Sequence, residues 1–292
     1  MSGDLSREGS VVLPDGRRLT YAEYGPADGR PVIFHHGTPG SRLGRHPDLS
    51  VYAEVGARVI SFDRPGYGQS DPLPGRNVAA VAPDVKALAD QLALDDFATM
   101  GVSGGGPHAL ACGALLGDRV QRVGVVVGGG PPDDPELDFL DGMAPVNVAE
   151  FGAAMESREA VENLLSGYVE QFRADPDAVI DELAAELPVS DQAELRRPEY
   201  REVFKRSGIE AIRQGPLGWV DDDLAFVRSW GFALEDVRPK TKLWQGELDV
   251  LAPRAHGQHI AKKVPNAEFE VLAGEGHMAI DHFRDELAWV LG

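Results

Sequence analysis

The chain has 292 residues, with 47 acidic and 28 basic side chains and a formal charge of −19. That balance excludes a nucleic-acid binder working by phosphate neutralisation, which needs a basic face. A hydrophobic content of 43 % beside 26 % charged residues is that of a folded globular protein with chain enough for a full core. The single cysteine, Cys112, rules out an internal disulfide framework and a cysteine-built zinc site. No run approaches the ~18 consecutive apolar residues of a spanning helix. The polar opening Met1–Glu8 carries no apolar signal region. The expectation is a soluble, cytoplasmic protein that engages neither nucleic acid nor membrane.

Val11 to Tyr24 reads as two strands around a Pro-Asp-Gly turn. Pro31-Val-Ile-Phe34 is a buried strand feeding the glycine-rich loop His35-His-Gly-Thr-Pro-Gly40. Ala57 to Phe62 is the next strand, stopped by Asp63-Arg-Pro-Gly-Tyr-Gly68. Val78 to Leu94 places Val81, Val85, Leu88 and Leu92 at helical spacing. The strand Phe97–Met100 then reaches Gly101-Val-Ser-Gly-Gly105, and a helix is expected over Pro107–Leu116. Val123-Gly-Val-Val-Val127 is the strongest buried-strand run. Strands alternating with helices predict an α/β fold, a mostly parallel sheet with helices on both faces.

After Gly130 the period changes. Val161, Leu164, Leu165, Tyr168, Val169 and Phe172 share one helical face, and Asp175-Pro176 marks the start of another helix. Between Pro131 and Asp236 there are 25 acidic and 9 basic residues, a net of −16, which sets this stretch apart from the rest. Such acidity is expected to form a solvated surface, or else to attract a cationic substrate. Within it, Asp221-Asp-Asp223 reads as a solvated helix start. Trp219, Phe226, Trp230 and Phe232 are candidates either for a substrate pocket or for packing against the core. Strand logic resumes at Thr241–Gln245, followed by a helix from Arg254, a strand at Glu268–Leu272 and a closing helix over Asp281–Leu291. The predicted organisation is a core of residues 1–130 and 237–292, with 131–236 as a helical lid.

Gly101-Val-Ser103-Gly-Gly105 fits G-x-S-x-G between a strand and a helix, where a nucleophilic serine needs small neighbours to stand clear of the sheet. A serine hydroxyl needs a base, and the base needs an acid to orient it. His277, in Gly274-Glu-Gly-His277, and Asp249, in Gly246-Glu-Leu-Asp249, each follow a predicted strand, so both reach the same sheet edge as Ser103. Asp133 and Asp134, after the strand ending at Val127, are the competing acids. They lie behind Pro131-Pro132, which directs the chain outward, so Asp249 is preferred. Thr38 and Gly104 can supply the N–H groups that meet an oxyanion. His35 and His36 are adjacent on an extended strand and point to opposite faces, so they are not expected to chelate one ion. Neither metal nor organic cofactor is expected. Cys112 is read as a small core residue.

In Phe34–Arg42, Asp63–Asp71, Gly101–Pro107, Gly246–Asp249 and Gly274–His277, the sequence resembles an α/β-hydrolase with a helical lid, along nearly its whole length. It is similar to the esterase, non-haem haloperoxidase and proline iminopeptidase branches. The resemblance implies Ser103 as nucleophile, His277 as base, Asp249 as acid, and Thr38 with Gly104 as oxyanion hole. Members that dehalogenate or open epoxides carry an aspartate at the elbow, and serine at position 103 argues against both. The implied activity is hydrolysis of a small-molecule ester or acyl substrate. Amide cleavage at a free amino terminus and non-catalytic ligand binding are the alternatives.

Overall fold

The structure, a computed structural model, describes residues 6–292; the part of the opening segment before Ser6 lies outside the described residues. In chain order it contains β1 (Ser6–Val12), β2 (Arg18–Tyr24), β3 (Arg30–His35), α1 (Ser50–Glu54), β4 (Ala57–Phe62) and α2 (Val81–Gln91). Then come β5 (Phe97–Val102), α3 (Gly105–Leu115) and β6 (Val120–Val126). Six helices follow: α4 (Pro145–Glu156), α5 (Arg158–Ala174), α6 (Pro176–Glu186), α7 (Val189–Arg196), α8 (Pro198–Ala211) and α9 (Leu217–Phe226). The chain closes with β7 (Lys240–Gly246), α10 (Arg254–Lys263), β8 (Ala267–Leu272) and α11 (Phe283–Leu291).

The eight strands form one sheet in the order β1-β2-β4-β3-β5-β6-β7-β8. β1 and β2 are antiparallel additions at one edge, and every pairing from β4 onward is parallel. Alternation along the strands loads both faces. On β3, Ile33 faces α2, α3 and α10 with Leu88, Leu110 and Ile260, while Val32 and Phe34 face α1 and α11 with Tyr52 and Leu287. The hairpin was legible from its turn, but β1 begins earlier than the Val11 expected from sequence. Its first residues are polar and half exposed on an edge strand, so no apolar run announces them.

Between β6 and β7 the helical period of the sequence is realised. Val161 and Leu165 of α5 are fully buried against Val220 and Leu224 of α9. Asp175 caps α6 by accepting from Ala178 N–H at 3.0 Å, with Pro176 at the first helical position. Ile180 and Leu195 pack against Met278, the residue after His277, so the helices rest on the carboxyl edge of the sheet. No helix among the described residues is long and apolar enough to cross a membrane.

The turn from β5 to α3 depends on closeness. A Cβ on Gly101 would stand 2.1 Å from the Gly105 carbonyl oxygen. Gly101→Ala should therefore cost about 1–3 kcal/mol of stability by overpacking, read as a lowered urea midpoint. An unchanged midpoint would show that the turn can relax.

Candidate active site

Ser103 sits between β5 and α3 with φ of +53°, a left-handed conformation that costs an L-residue energy and lifts its side chain off the sheet. The turn is held by Ser103 N–H donating to Val126 O at 2.8 Å and Gly106 N–H donating to Ser103 O at 2.8 Å. A Cβ on Gly105 would lie 2.1 Å from His35 O, so glycine there lets α3 start directly beside β3. The loop after β3 comes equally near. A Cβ built on Gly37 would be 3.5 Å from Ser103 Cβ, and one on Gly104 would be 2.3 Å from Thr38 Oγ1.

His277 follows β8 and Asp249 follows β7, as their sequence positions required. His277 Nδ1 faces both carboxylate oxygens of Asp249, at 3.0 and 2.9 Å. Asp249 is fixed in turn by N–H groups of Leu251 and Ala252, each at 2.9 Å, and by Gln245 Nε2 at 2.8 Å. With Nδ1–H directed at Asp249, Nε2 is the ring atom left to take a proton. Burial works to lower the His277 pKa, but the charge and hydrogen bond of Asp249, with Asp191 beyond, leave it raised above 6.5. Ser103 and His277 line one cavity, and among the described residues no hydrogen bond joins them. Asp134 does not compete for His277: it lies against His259 at 3.1 Å and Lys263 at 3.2 Å. Asp134, Glu136 and His259 form the one group among the described residues with metal-ligand spacing, but Lys262 and Lys263 already compensate its carboxylates.

Two functional neighbours escaped the sequence. Asp191 of α7, 1 % exposed, accepts from the N–H groups of His277 and Met278, both at 2.9 Å. Asp222 of α9 is wholly buried and corrects the expectation for Asp221–Asp223, all three of which are buried in the middle of a helix and not at a solvated start. Its Oδ2 accepts from Arg64 at 2.6 Å, Tyr67 at 2.9 Å and the Thr38 hydroxyl at 2.9 Å, and its Oδ1 accepts from Arg76 at 2.6 Å. Burial alone would raise its pKa; Arg64 and Arg76 reverse that and hold it well below the usual carboxylate range. Arg64 also donates to His36 O and, at 3.0 Å, to Gly37 O, tying the same carboxylate to the loop that carries Thr38.

The cavity measures about 530 Å³ and is walled by the sheet edge and the inserted helices. Trp219 and Trp230 line it, as proposed from sequence. Phe232 does not line it; its ring stacks on Trp230 at 5.9 Å and packs into the core, a correction to the sequence expectation. Trp219 Nε1–H donates to Glu150 at 2.7 Å. Burial pushes the Glu150 pKa up to about 7 and that of its neighbour Asp223 well above its ordinary value. Cys112 is buried in the core and its thiol is pushed up by burial, as a structural cysteine should be.

A family model described as the alpha/beta hydrolase fold matches residues 30–282, and the chain belongs to that family. Among curated relatives, a non-heme chloroperoxidase of Streptomyces lividans is 36 % identical over 52 % of this chain and 56 % of its own. A proline iminopeptidase of Arabidopsis thaliana is 27 % identical over 93 % of this chain and 75 % of its own. The chain spans about half the length of the first curated relatives it matches. The crystal structure of an enol-lactonase from Burkholderia xenovorans superposes with a TM-score of 0.71 at 17 % identity, covering 97 % of this chain and 99 % of that one, which is a likeness of fold.

Removing the Asp222 carboxylate leaves two buried guanidinium groups without their counter-charge. Asp222→Ala should destabilise the protein by about 3–5 kcal/mol, measured by denaturant unfolding. A loss below about 1 kcal/mol would show that the arginines find other partners.

Proposed function

We propose that the protein is a serine hydrolase that cleaves carboxylic esters through an acyl-enzyme. The observation that carries this reading is the union, at one cavity, of a serine held in a left-handed turn and a histidine oriented by a buried carboxylate. Ser103 Oγ attacks the ester carbonyl carbon while His277 Nε2 takes its proton. The developing oxyanion is met by the N–H groups of Thr38 and Gly104, the second at the start of α3 where the helix dipole is favourable. Collapse breaks the bond to the alcohol, which leaves with the proton from His277. Water then attacks the acyl carbonyl, giving its proton to His277, and Ser103 departs with that proton as the acid is released.

In this reading Asp249 stabilises the imidazolium and fixes its tautomer. Asp191 and Asp222 are positioning residues, one for the histidine loop and one for the oxyanion loop. The helices of residues 131–236 serve as the lid and set substrate choice, with Trp219 and Trp230 among the walls. Glu182 and Glu186 line the cavity with Arg45 as its one guanidinium, while burial lifts the pKa of two further lining carboxyls, Glu150 to about 7 and Glu286 to about 8. That charge balance favours a neutral or cationic substrate and disfavours dianions of the kind named for two relatives, the 2-hydroxy-6-oxononadienedioate hydrolases. Amide hydrolysis beside a free amino group is the second reading; Glu150, which lines the cavity and bonds Trp219, favours it, because a carboxyl with a pKa of about 7 can ionise to receive an ammonium.

Two measurements test the mechanism. Ser103→Ala should abolish p-nitrophenyl ester turnover with folding intact, and more than a tenth of wild-type activity remaining would remove Ser103 from the role. His277 must be neutral to act as base, and its pKa is raised, so kcat/KM should climb with pH to a midpoint above 6.5. In Asp249→Asn the main raising influence is gone and only Asp191 and burial remain, so kcat should fall by up to about 10⁴ and the midpoint should move down. A midpoint that stays in place would show that another group titrates.

A further inference from the structure

The cavity that opens on Ser103 does not end at the inserted helices. Phe34, Tyr52, Val59, Met100, Phe283 and Glu286 also line it, and they belong to β3, β4, β5, α1 and α11. Met100 lies three residues before Ser103 on β5, opposite Phe34 of β3 and Gly124 of β6. At about 3.3 Å per strand residue, that row is about 10 Å inward from the elbow. The cavity lining therefore extends along the α11 face of the sheet into the second core layer as a narrow arm, whose walls Tyr52, Val59, Met100 and Glu286 keep no more than 2 % of their surface accessible.

Every named wall of this arm is apolar or aromatic except Glu286. Its neighbours on the buried face of α11 are Phe283, Leu287 and Val290, the pattern of a position where leucine would serve. Glu286 is 2 % exposed, and its Oε1 has no hydrogen-bond partner. The cation acting on it, Lys242, is bound by Glu270 at 2.9 Å. Leaving such a buried group unsatisfied costs roughly 1–3 kcal/mol, and the pairing that Tyr52 and Asp249 find within the chain is absent here. Burial, together with the charges of Glu270 and Asp285 and against that of Lys242, pushes its pKa up to about 8. Near neutral pH it is then mainly the neutral acid, with one O–H to donate and lone pairs to accept.

We infer that this arm receives the acyl chain of a medium-chain ester or lactone carrying a hydroxyl near its far end, and that Glu286 is the group that recognises the hydroxyl. The inference rests on the ester-hydrolase reading and names the acyl group within it. A hydroxyl both donates and accepts, as the neutral carboxyl does. A plain alkyl end leaves Glu286 unpaired, and a carboxylate end meets the field of Glu270 and Asp285. An extended chain covers about 1.3 Å per bond, since ~3.8 Å spans the three bonds between successive Cα atoms. About eight bonds thus reach from the Ser103 row to the Met100 row.

The test compares p-nitrophenyl butanoate, octanoate and 8-hydroxyoctanoate as substrates of wild type, Glu286→Gln and Glu286→Leu. Wild type should favour octanoate over butanoate, and the hydroxylated chain over octanoate by about tenfold in kcat/KM. Glu286→Gln should keep most of that preference, and Glu286→Leu should reverse it. Because the carboxyl has no partner to lose, Glu286→Leu should melt no lower than wild type. A hydroxyl preference that survives Glu286→Leu, no preference in wild type, or a clearly lowered melting temperature would overturn the inference. Binding of ethyl 8-hydroxyoctanoate and ethyl octanoate to Ser103→Ala protein, by calorimetry, separates the two readings. Hydroxyl-selective binding without turnover in wild type would refute the hydrolase and keep the site, whereas turnover without selectivity would refute the site alone.

Discussion

Arg64, Arg76, Tyr67 and Thr38 all direct hydrogen-bond donors at the carboxylate of Asp222, and none of the charged groups involved reaches solvent to any useful extent. Burying three such charges costs several kcal/mol per ion, and the cost is met only when geometry is good and the remaining donors are used. Here they are. Arg64 spends its other N–H groups on the carbonyls of His36 and Gly37, and Arg76 reaches Gly218 O at 3.1 Å. The loop beside Ser103 is thereby set by a residue 184 positions away, on a helix that is not part of the α/β core. Neither the loop nor that helix can shift without exposing an unpaired charge in a low-dielectric interior.

Asp191 does for the histidine loop what Asp222 does for the loop of Thr38. Gly276 allows the approach, since a Cβ there would lie 2.3 Å from Asp191 Oδ2. Two carboxylates from the inserted helices therefore grip two separate loops of the sheet edge, while Asp249 of the core orients the imidazole between them. Part of the acidity of residues 131–236 is thus internal structure, placed where backbone N–H groups and guanidinium groups await it. The remainder, as in Asp177 and Asp181 against Arg201, is surface pairing of the ordinary weak kind.

The core could be read in the sequence because a parallel sheet buried on both faces demands continuous apolar runs, and Val32–Phe34 or Val123–Val127 cannot be mistaken. The edge residues Ser103, Asp249 and His277 could be placed because each follows a strand, even though the one before His277 is an edge strand that alternates and is largely exposed, and His277 and Asp249 do come together at 2.9 Å. Asp222 was missed because a run of aspartates is usually a wet face. A signal was present: three consecutive helical residues fan over about 200°, so on a packed helix they cannot all face water. Phe232 was misplaced because it follows Gly231 in irregular chain, where no period assigns a side chain to cavity or core. Glu286 lay hidden for the opposite reason, in an amphipathic helix whose period points it inward although its charge suggested outward.

The central claim is that Ser103 is an activated nucleophile. Its most direct test is intact-protein mass spectrometry after treatment with a fluorophosphonate, followed by peptide mapping. A single phosphonyl adduct on Ser103, formed far more slowly in Asp249→Asn and absent from Ser103→Ala, is the predicted result. A wild-type protein that stays unmodified, or that carries its adduct on another residue, would contradict the account.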